Sequence, residues 1–219
     1  PVILALKEQP WAEVRVLATA QHRHMLDQVM TFFGIVPDID LNIMRPNQTL
    51  TELTARLLLE LDKVLLDEKP DVVLAQGDTT TVFAMALACF YRRIPFGHVE
   101  AGLRTWDMQN PFPEEANRVL AGRLTRWHFA PTESSKANLL REGIAEERVR
   151  FVGNVMIDSL LSNREFAHAP AKTLSEAGYD PAVLNDRNSY AVVTLHRPSN
   201  VDRPETLRPL LEVLREVSA

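Results

Sequence analysis

The sequence of 219 residues contains one cysteine, Cys89, and no long hydrophobic run. A single cysteine cannot form a disulfide within the chain, and it cannot supply a cysteine cluster for a metal ion. Because it lies in the apolar run FAMALACFY, we predict a small buried side chain. No apolar stretch approaches the roughly 18 residues that span a bilayer, so no transmembrane helix is predicted.

The sequence also lacks an excess of basic residues. Its formal net charge is −5 at pH 7, whereas a protein that binds a nucleic-acid backbone usually carries a basic patch. We therefore expect no nucleic-acid partner. The N-terminus shows no signal-peptide pattern, and we expect the protein to be cytoplasmic.

Three common signatures of active sites are absent from the sequence. There is no G-x-S-x-G elbow of a serine hydrolase, no P-loop and no G-x-G-x-x-G fingerprint. The first ten residues, PVILALKEQP, lack a methionine and are typical of the second half of a helix. The chain ends in an amphipathic helix, and we expect both ends to continue in a longer protein.

Segments of strand type and helix type alternate along the chain. Strands separated by helices of ten or more residues imply a parallel sheet with helices on both faces, as in doubly wound folds with right-handed crossovers. The predicted fold class is therefore α/β. The predicted strands are Glu13–Ala20, Asp71–Ala75, Pro95–Val99, Trp127–Ala130 and Val149–Val152, and the predicted helices are Met25–Phe33, Leu50–Leu66, Thr79–Tyr91, Pro113–Leu124 and Ser134–Glu142.

The composition changes after residue 161, which divides the chain into three parts. Residues 1–161 are predicted to form an N-terminal Rossmann-like domain. Residues 162–188 are rich in alanine, proline and asparagine, as is typical of a surface connection between domains. Residues 189–219 are predicted to begin a second domain, with a strand at Tyr190–Leu195 and a helix at Pro204–Val217.

Ionisable side chains follow the predicted strands, at the edge where parallel α/β sheets bind ligands. Asp78 follows the strand DVVLA, and Glu100 comes directly after PFGHV. At Asp78, the free backbone amides of Thr79 to Thr81 could hold a phosphate, or Asp78 could simply cap the next helix. Glu100 could take part in proton transfer, or it could form a salt bridge with Arg104 that holds the turn.

Two further candidates lie at a helix start and at a strand end. Glu114 in PFPEEANR could carry a proton, or it could stabilise the first turn of the helix and pair with Arg118; we interpret Glu115 as structural. His196 at the end of YAVVTL could carry a proton or bind a phosphate, or it could be an ordinary surface histidine. The polar cluster AQHRHML after the first strand is interpreted as solvated.

The motifs QGDTTT, GHVEAGLRT, PFPEEANR and VTLHRPSN, in this order and spacing, resemble those of the non-hydrolysing UDP-N-acetylglucosamine 2-epimerases. The similarity extends over nearly the whole chain and includes LNIM, FAPTE and VGNVMIDSL. It implies a fold like that of the GT-B glycosyltransferases, in which two Rossmann-like domains enclose a nucleotide sugar in the cleft between them. It also implies no metal and no cofactor, and a homodimer as the usual assembly.

The resemblance implies the reversible interconversion of UDP-N-acetylglucosamine and UDP-N-acetylmannosamine. In this family UDP is thought to leave by elimination and to add back to a bound 2-acetamidoglucal. Carried over by motif, the catalytic group is Asp78, Glu100, Glu114 and His196, and Asp78, Glu100 and His196 also bind the substrate. The resemblance also implies that the product serves cell-surface polysaccharide synthesis, but the sequence does not indicate which polymer receives it.

Some features depart from the family pattern. The N-terminal strand with the motif G-T-R-P-E and most of the second domain are missing, so we do not expect this chain alone to be active. Gln21 and His22 resemble part of a site where a second substrate molecule activates some bacterial members. His24 and Asn47 stand where Gln and Arg are expected, which argues against such activation. A GT-B glycosyltransferase, a hydrolysing epimerase and a binding module without turnover remain as alternatives.

Overall fold

The structure, a computed structural model, describes residues 1–19, 23–164, 170–182, 193–195 and 198–217. Its contacts divide the chain into two compact units, Pro1–Asn163 and Arg164–Ala219. The first unit contains the helices α1 (Val2–Lys7), α2 (Arg23–Phe32), α3 (Leu50–Glu68), α4 (Thr80–Arg92), α5 (Glu114–Leu124), α6 (Glu133–Arg141) and α7 (Val155–Asn163), and the strands β1 (Leu17–Ala18), β2 (Ile39–Asp40), β3 (Val73–Gln76), β4 (Phe96–Val99), β5 (Trp127–Ala130) and β6 (Val149–Phe151).

In the described part of the chain, the main sheet has four strands in the order β3-β4-β5-β6, and all of its pairs are parallel. Parallel neighbours need a crossover connection, and the helices α4, α5 and α6 supply it. Gln76 at the end of β3 lies opposite Val99 at the end of β4, so the segments that follow these two strands start side by side. The predicted α/β class with a parallel sheet is confirmed.

Helix α3 packs on α4 through a stripe of leucines at four-residue spacing, which puts them on one face of the helix. All four, Leu53, Leu57, Leu61 and Leu65, are buried. The helix begins with a capping box in which Thr49 and Glu52 bond to each other's backbone N–H. Cys89 is buried in α4 as predicted, and burial raises the pKa of its thiol to about 12.

The first predicted strand is much shorter than expected. The sequence predicted a strand at Glu13–Ala20, of which residue 20 lies outside the described residues. Within 13–19, only Leu17–Ala18 pair, with the short strand β2. The preceding backbone has a side-chain partner instead, because the Val16 N–H donates to Oδ2 of Asp38 at 2.7 Å. The alternation of apolar residues therefore overestimated the length of the ladder.

The second unit is described in part, as helices α8 (Pro170–Glu176), α9 (Pro198–Val201) and α10 (Pro204–Val217). Helix α10 has the predicted bounds, whereas α8 is a helix within the stretch predicted as a connection. Of the predicted strand Tyr190–Leu195, residues 190–192 lie outside the described residues, and 193–195 have no regular secondary structure. The division of the chain into three parts stays a prediction. Among the helices described, none combines the length and the apolar character needed to cross a bilayer.

Candidate active site

The turn after β3 presents Asp78 at the carboxyl end of the sheet. Gly77 has φ +88°, a conformation that side chains with a Cβ rarely adopt. Its N–H donates to the carbonyl oxygen of Val99 at 3.1 Å, and its carbonyl oxygen lies 2.7 Å from Nε2 of His98. Strand β4 therefore holds both polar backbone atoms of Gly77, and this defines the direction in which Asp78 leaves the sheet.

Helix α5 binds Asp78 through two consecutive residues. Arg118 donates from Nε to Oδ2 of Asp78 at 3.0 Å, and Asn117 donates from Nδ2 to the backbone carbonyl of Asp78 at 2.9 Å. The N-cap of α4 is Thr79, so the alternative that Asp78 caps this helix is wrong. The Asp78 side chain keeps an exposed fraction of 32%, which leaves it accessible to a ligand.

Glu100 comes directly after β4 on strained backbone. Its φ is +67°, in the left-handed region that costs a non-glycine residue about 1 kcal/mol or more. Its Oε2 accepts a bond of 3.4 Å from Nε2 of Gln76 and lies 4.0 Å from the position that a Cβ on Gly77 would occupy. The Glu100 carboxylate therefore lies next to the turn that presents Asp78.

The alternative of a salt bridge between Glu100 and Arg104 is wrong. Arg104 binds Glu142 at the end of α6, with Nε–Oε1 and Nη2–Oε2 distances of 2.6 and 3.0 Å. Both side chains are almost inaccessible, with exposed fractions of 1% and 9%. This pair fastens the segment after β4 to α6, and Asn138 adds a bond from Nδ2 to the Gly102 carbonyl at 3.0 Å.

Glu114 is the first residue of α5, and its side chain is half-buried. Its Oε2 is buried and has no hydrogen-bond partner among the residues that the structure describes. The predicted pair with Arg118 does not form, because Arg118 binds Asp78 and Glu115 instead. A buried carboxylate oxygen without a partner is unfavourable for the fold, and such groups concentrate at functional sites.

Glu115 is buried and hydrogen-bonded at both oxygens, which agrees with the prediction that it is structural. Its side chain has an exposed fraction of 1%. Its Oε1 accepts the backbone N–H groups of Thr105 and Trp106, both at 3.0 Å, and its Oε2 accepts from Nη1 of Arg118 at 3.0 Å. Among the described residues, the donors to this carboxylate come from the loop after β4 and from Arg118.

Two buried histidines lie side by side behind this edge, since His98 on β4 is the register partner of His128 on β5. Burial lowers the pKa of His98. Burial, together with the positive charge that His98 could carry, lowers the pKa of His128 to about 3. Both imidazoles are therefore neutral near pH 7, which suits His98 to its bond with the Gly77 carbonyl.

Asp78 and Glu100 thus follow adjacent strands, and α5, which begins at Glu114, binds Asp78. His196, Gln21 and His22 lie outside the described residues. The sequence predicted no role for Asn117 or for His98, and the predicted partner of Arg118 was wrong. The three-residue spacing of Glu115 and Arg118, which is compatible with an ion pair on a helix, was the available signal. The roles of the predicted site residues stay predictions.

A family model described as UDP-N-acetylglucosamine 2-epimerase matches residues 4–219, nearly the whole chain. The chain belongs to this family. The UDP-N-acetylglucosamine 2-epimerase of Salmonella typhimurium is 49% identical over 219 residues, which are 100% of this chain and 58% of that protein. The chain therefore spans a little over half the length of this curated relative. The family resemblance drawn from the motifs is confirmed.

Two solved structures of UDP-N-acetylglucosamine 2-epimerases share the fold. The enzyme from Neisseria meningitidis, bound to UDP-GlcNAc, has a TM-score of 0.77 and 51% identity, over 81% of this chain and 48% of that one. The enzyme from Methanocaldococcus jannaschii, in complex with UDP-GlcNAc and UDP, has a TM-score of 0.80 and 40% identity, over 99% of this chain and 58% of that one. These matches agree with the predicted fold class.

Proposed function

We propose that the protein interconverts UDP-N-acetylglucosamine and UDP-N-acetylmannosamine by inverting C2 of the sugar. Membership of the epimerase family supports this proposal, as do solved relatives that bind UDP-GlcNAc. The observation that carries it is the Asp78–Arg118 bond. This bond links the turn after β3 to α5, the helix that begins at Glu114, at the edge of the sheet where Glu100 also lies.

The chemistry of the proposed reaction explains why several carboxylates are needed. A base removes the weakly acidic C2 proton, and the electron pair of the C2–H bond forms a C1=C2 double bond. The C1–O bond breaks at the same time, and UDP leaves with its electron pair, so that a 2-acetamidoglucal remains bound. A UDP oxygen then adds back to C1 while an acid delivers a proton to the opposite face of C2. The reaction needs no oxidant or reductant, but it needs proton carriers on both faces of the sugar ring.

Within this proposal, Glu100 and Glu114 handle the C2 proton on opposite faces of the ring. The strained backbone of Glu100 and the unpartnered oxygen of Glu114 support this assignment, because strain and unsatisfied groups concentrate at functional sites. Asp78 orients the sugar. His196, which lies outside the described residues, stabilises the leaving diphosphate.

Incubation of the natural full-length protein with UDP-N-acetylglucosamine in deuterated water tests the reaction. We expect deuterium at C2 of both intact nucleotide sugars. Release of free N-acetylmannosamine together with UDP would identify a hydrolysing epimerase. Binding of the nucleotide sugar without C2 exchange would favour a glycosyltransferase or a binding module, and it would overturn the proposal.

Single variants test the assignment of the carboxylates. We expect Glu100→Gln and Glu114→Gln each to lower the rate of C2 exchange by about 10²-fold or more, as removal of a general acid or base typically does. Glu146→Gln is a matched control, because Glu146 is an exposed carboxylate that pairs with Lys136 at 3.0 Å. If both site variants exchange C2 hydrogen at the rate of this control, the assignment is wrong.

We further propose that the protein acts as a homodimer. Large apolar side chains remain exposed on the packed helices α3 and α4: Leu59, Leu66, Phe90 and Tyr91. Burial of such a surface against a second copy would be favourable. Sedimentation of the natural protein should give twice the subunit mass, and Leu59→Glu should shift it towards the monomer. A monomeric wild-type protein would contradict this proposal.

The proposed substrate also indicates where the protein acts. A nucleotide sugar carries a charged diphosphate and does not cross a bilayer unaided, because charged groups are costly in the hydrocarbon core. We therefore place the proposed reaction in the cytoplasm, where its product would supply the synthesis of a cell-surface polysaccharide. Cell fractionation that recovers the protein outside the cytoplasm would contradict this placement.

A further inference from the structure

We propose that Glu115 is a positioning residue for Asp78 and that it acts through Arg118. This inference rests on the proposed function, in which Asp78 orients the sugar. Glu115 lies almost completely buried on α5. Its role would be to hold the guanidinium group that in turn holds the Asp78 carboxylate.

The guanidinium of Arg118 lies between two carboxylates. It donates from Nε to Oδ2 of Asp78 and from Nη1 to Oε2 of Glu115, both at 3.0 Å. Only 7% of the Arg118 side chain is exposed. Because the guanidinium is planar and its donors point in fixed directions, two bonds to different partners restrict its rotation. The position of the Asp78 carboxylate therefore depends on the bond between Arg118 and Glu115.

Glu115 is itself held by the loop after β4. Its second oxygen accepts the N–H groups of Thr105 and Trp106, and Trp106 has φ +66°. A continuous series of hydrogen bonds thus runs from this turn through Glu115 and Arg118 to Asp78. Any shift of the turn or of the buried carboxylate would be passed on to the group that orients the sugar.

The donors around Glu115 require a carboxylate rather than an amide. Two backbone N–H groups point at one oxygen, and a guanidinium N–H points at the other. A glutamine would offer one oxygen and one NH₂ group. In either orientation its NH₂ would face a donor, so Glu115→Gln breaks one link in the series while side-chain size is conserved.

When the bond between residue 115 and Arg118 is lost, Arg118 can turn its whole guanidinium towards Asp78 and move that carboxylate. A displacement of about 1 Å at a positioning group can lower a rate by about 10²-fold. We therefore expect Glu115→Gln to lower kcat for C2 exchange by about 10²-fold. KM should change much less, because the contacts of the nucleotide are not altered.

Asp62→Asn is the matched control. Asp62 on α3 also accepts two bonds from a guanidinium, that of Arg92 on α4, and neither residue belongs to the series of bonds that ends at Asp78. Both variants are made in the natural full-length protein, and their melting temperatures are measured. Well below those temperatures, Asp62→Asn should retain kcat within about threefold of the wild type, whereas Glu115→Gln should not.

A double-mutant cycle separates positioning from a general loss of structure. In the background of Asp78→Asn, the Glu115→Gln change should lower kcat by less than about threefold, since the group that Glu115 positions has already been altered. A similar loss in both backgrounds would overturn the inference, and so would wild-type kcat in Glu115→Gln alone. A wild-type protein that exchanges no C2 hydrogen would instead overturn the proposed function on which the inference rests.

Discussion

The imidazole of His98 donates a hydrogen bond from Nε2 to the carbonyl oxygen of Gly77, 2.7 Å away. A carbonyl oxygen can only accept, so the proton must be on Nε2. The N–H of the same glycine donates to Val99. Strand β4 therefore holds the turn that carries Asp78, and a buried side chain at the second position of the motif GHVEAGLRT stabilises the site without needing to touch a ligand.

Substitution of His98 tests the contribution of this bond. His98→Leu leaves the Gly77 carbonyl without its partner, which costs about 1–3 kcal/mol for a buried group. His98→Gln keeps a side-chain donor that can reach the same oxygen. Urea unfolding should show a lower free energy of unfolding for the leucine variant than for the glutamine variant. Equal stabilities of the two variants would show that the hydrogen bond contributes nothing.

The buried histidine pair predicts that acid destabilises the fold. Burial lowers the pKa of His98, and it lowers the pKa of His128 to about 3; the guanidinium groups of Arg104 and Arg148 act on His128 in the same direction. In the unfolded chain each histidine titrates near pH 6.5. Between pH 6.5 and pH 3 the unfolded state therefore binds more protons, and the free energy of unfolding falls as the pH falls.

The expected loss of stability can be measured over a pH range in which most carboxylates stay ionised. For His128 alone, lowering the pH from 7 to 5 should reduce the free energy of unfolding by about 2 kcal/mol. Urea titrations at the two pH values give this difference, and His128→Gln should reduce it. A variant with the same pH dependence as the wild type would show that His128 does not cause the effect.

The Glu114 carboxylate is expected to lower the free energy of unfolding and to raise the rate of C2 exchange. Its buried Oε2 has no hydrogen-bond partner among the described residues, and a buried polar atom without a partner is unfavourable. Glu114→Met replaces the carboxyl group with an apolar one of similar length, so it should raise the free energy of unfolding by about 1 kcal/mol while it lowers C2 exchange. Glu115→Gln is the neighbouring control, because both oxygens of Glu115 accept hydrogen bonds. That variant should be less stable than the wild type, and destabilisation by both changes would contradict the prediction.

Gly102 in the motif GHVEAGLRT is expected to tolerate no side chain. Its φ is +90°, and an added Cβ would overlap the backbone carbonyl of Ser135 at the start of α6. Gly143 has a similar φ of +81° but nothing within 4 Å of the added atom. Gly143→Ala should cost about 1 kcal/mol, and Gly102→Ala should cost at least about 2 kcal/mol more, because backbone has to move. Similar melting temperatures for the two variants would contradict this packing argument.

Periodicity predicted the helices and central strands well, because each has a buried side and an exposed side or is buried throughout. The bounds of β5 agree with the prediction at both ends, and so do those of α10. The strand predicted at Glu13–Ala20 was too long because a ladder extends only as far as its partner strand, and β2 offers only two residues. A pattern within one segment carries no information on the length of its neighbour.

The candidate site was predicted only in part. The rule that ligands bind beyond the carboxyl ends of parallel strands pointed to Asp78 and Glu100, and the motifs added Glu114. The partner of Arg118 was predicted wrongly. The spacing on α5 allows a bond to a residue three or four positions earlier, and it does not indicate that Asp78 also comes within reach of the guanidinium.

The sequence by itself determined the order of the elements, the parallel sheet and the family, because apolar periodicity and motif order are properties of the chain read in one direction. The tertiary structure alone decided which ionisable groups pair: Arg104 with Glu142, and Arg118 with both Asp78 and Glu115. The physical reason is that these bonds, apart from the one between Arg118 and Glu115, join residues 38 to 40 positions apart, which approach only when the helices pack on the sheet.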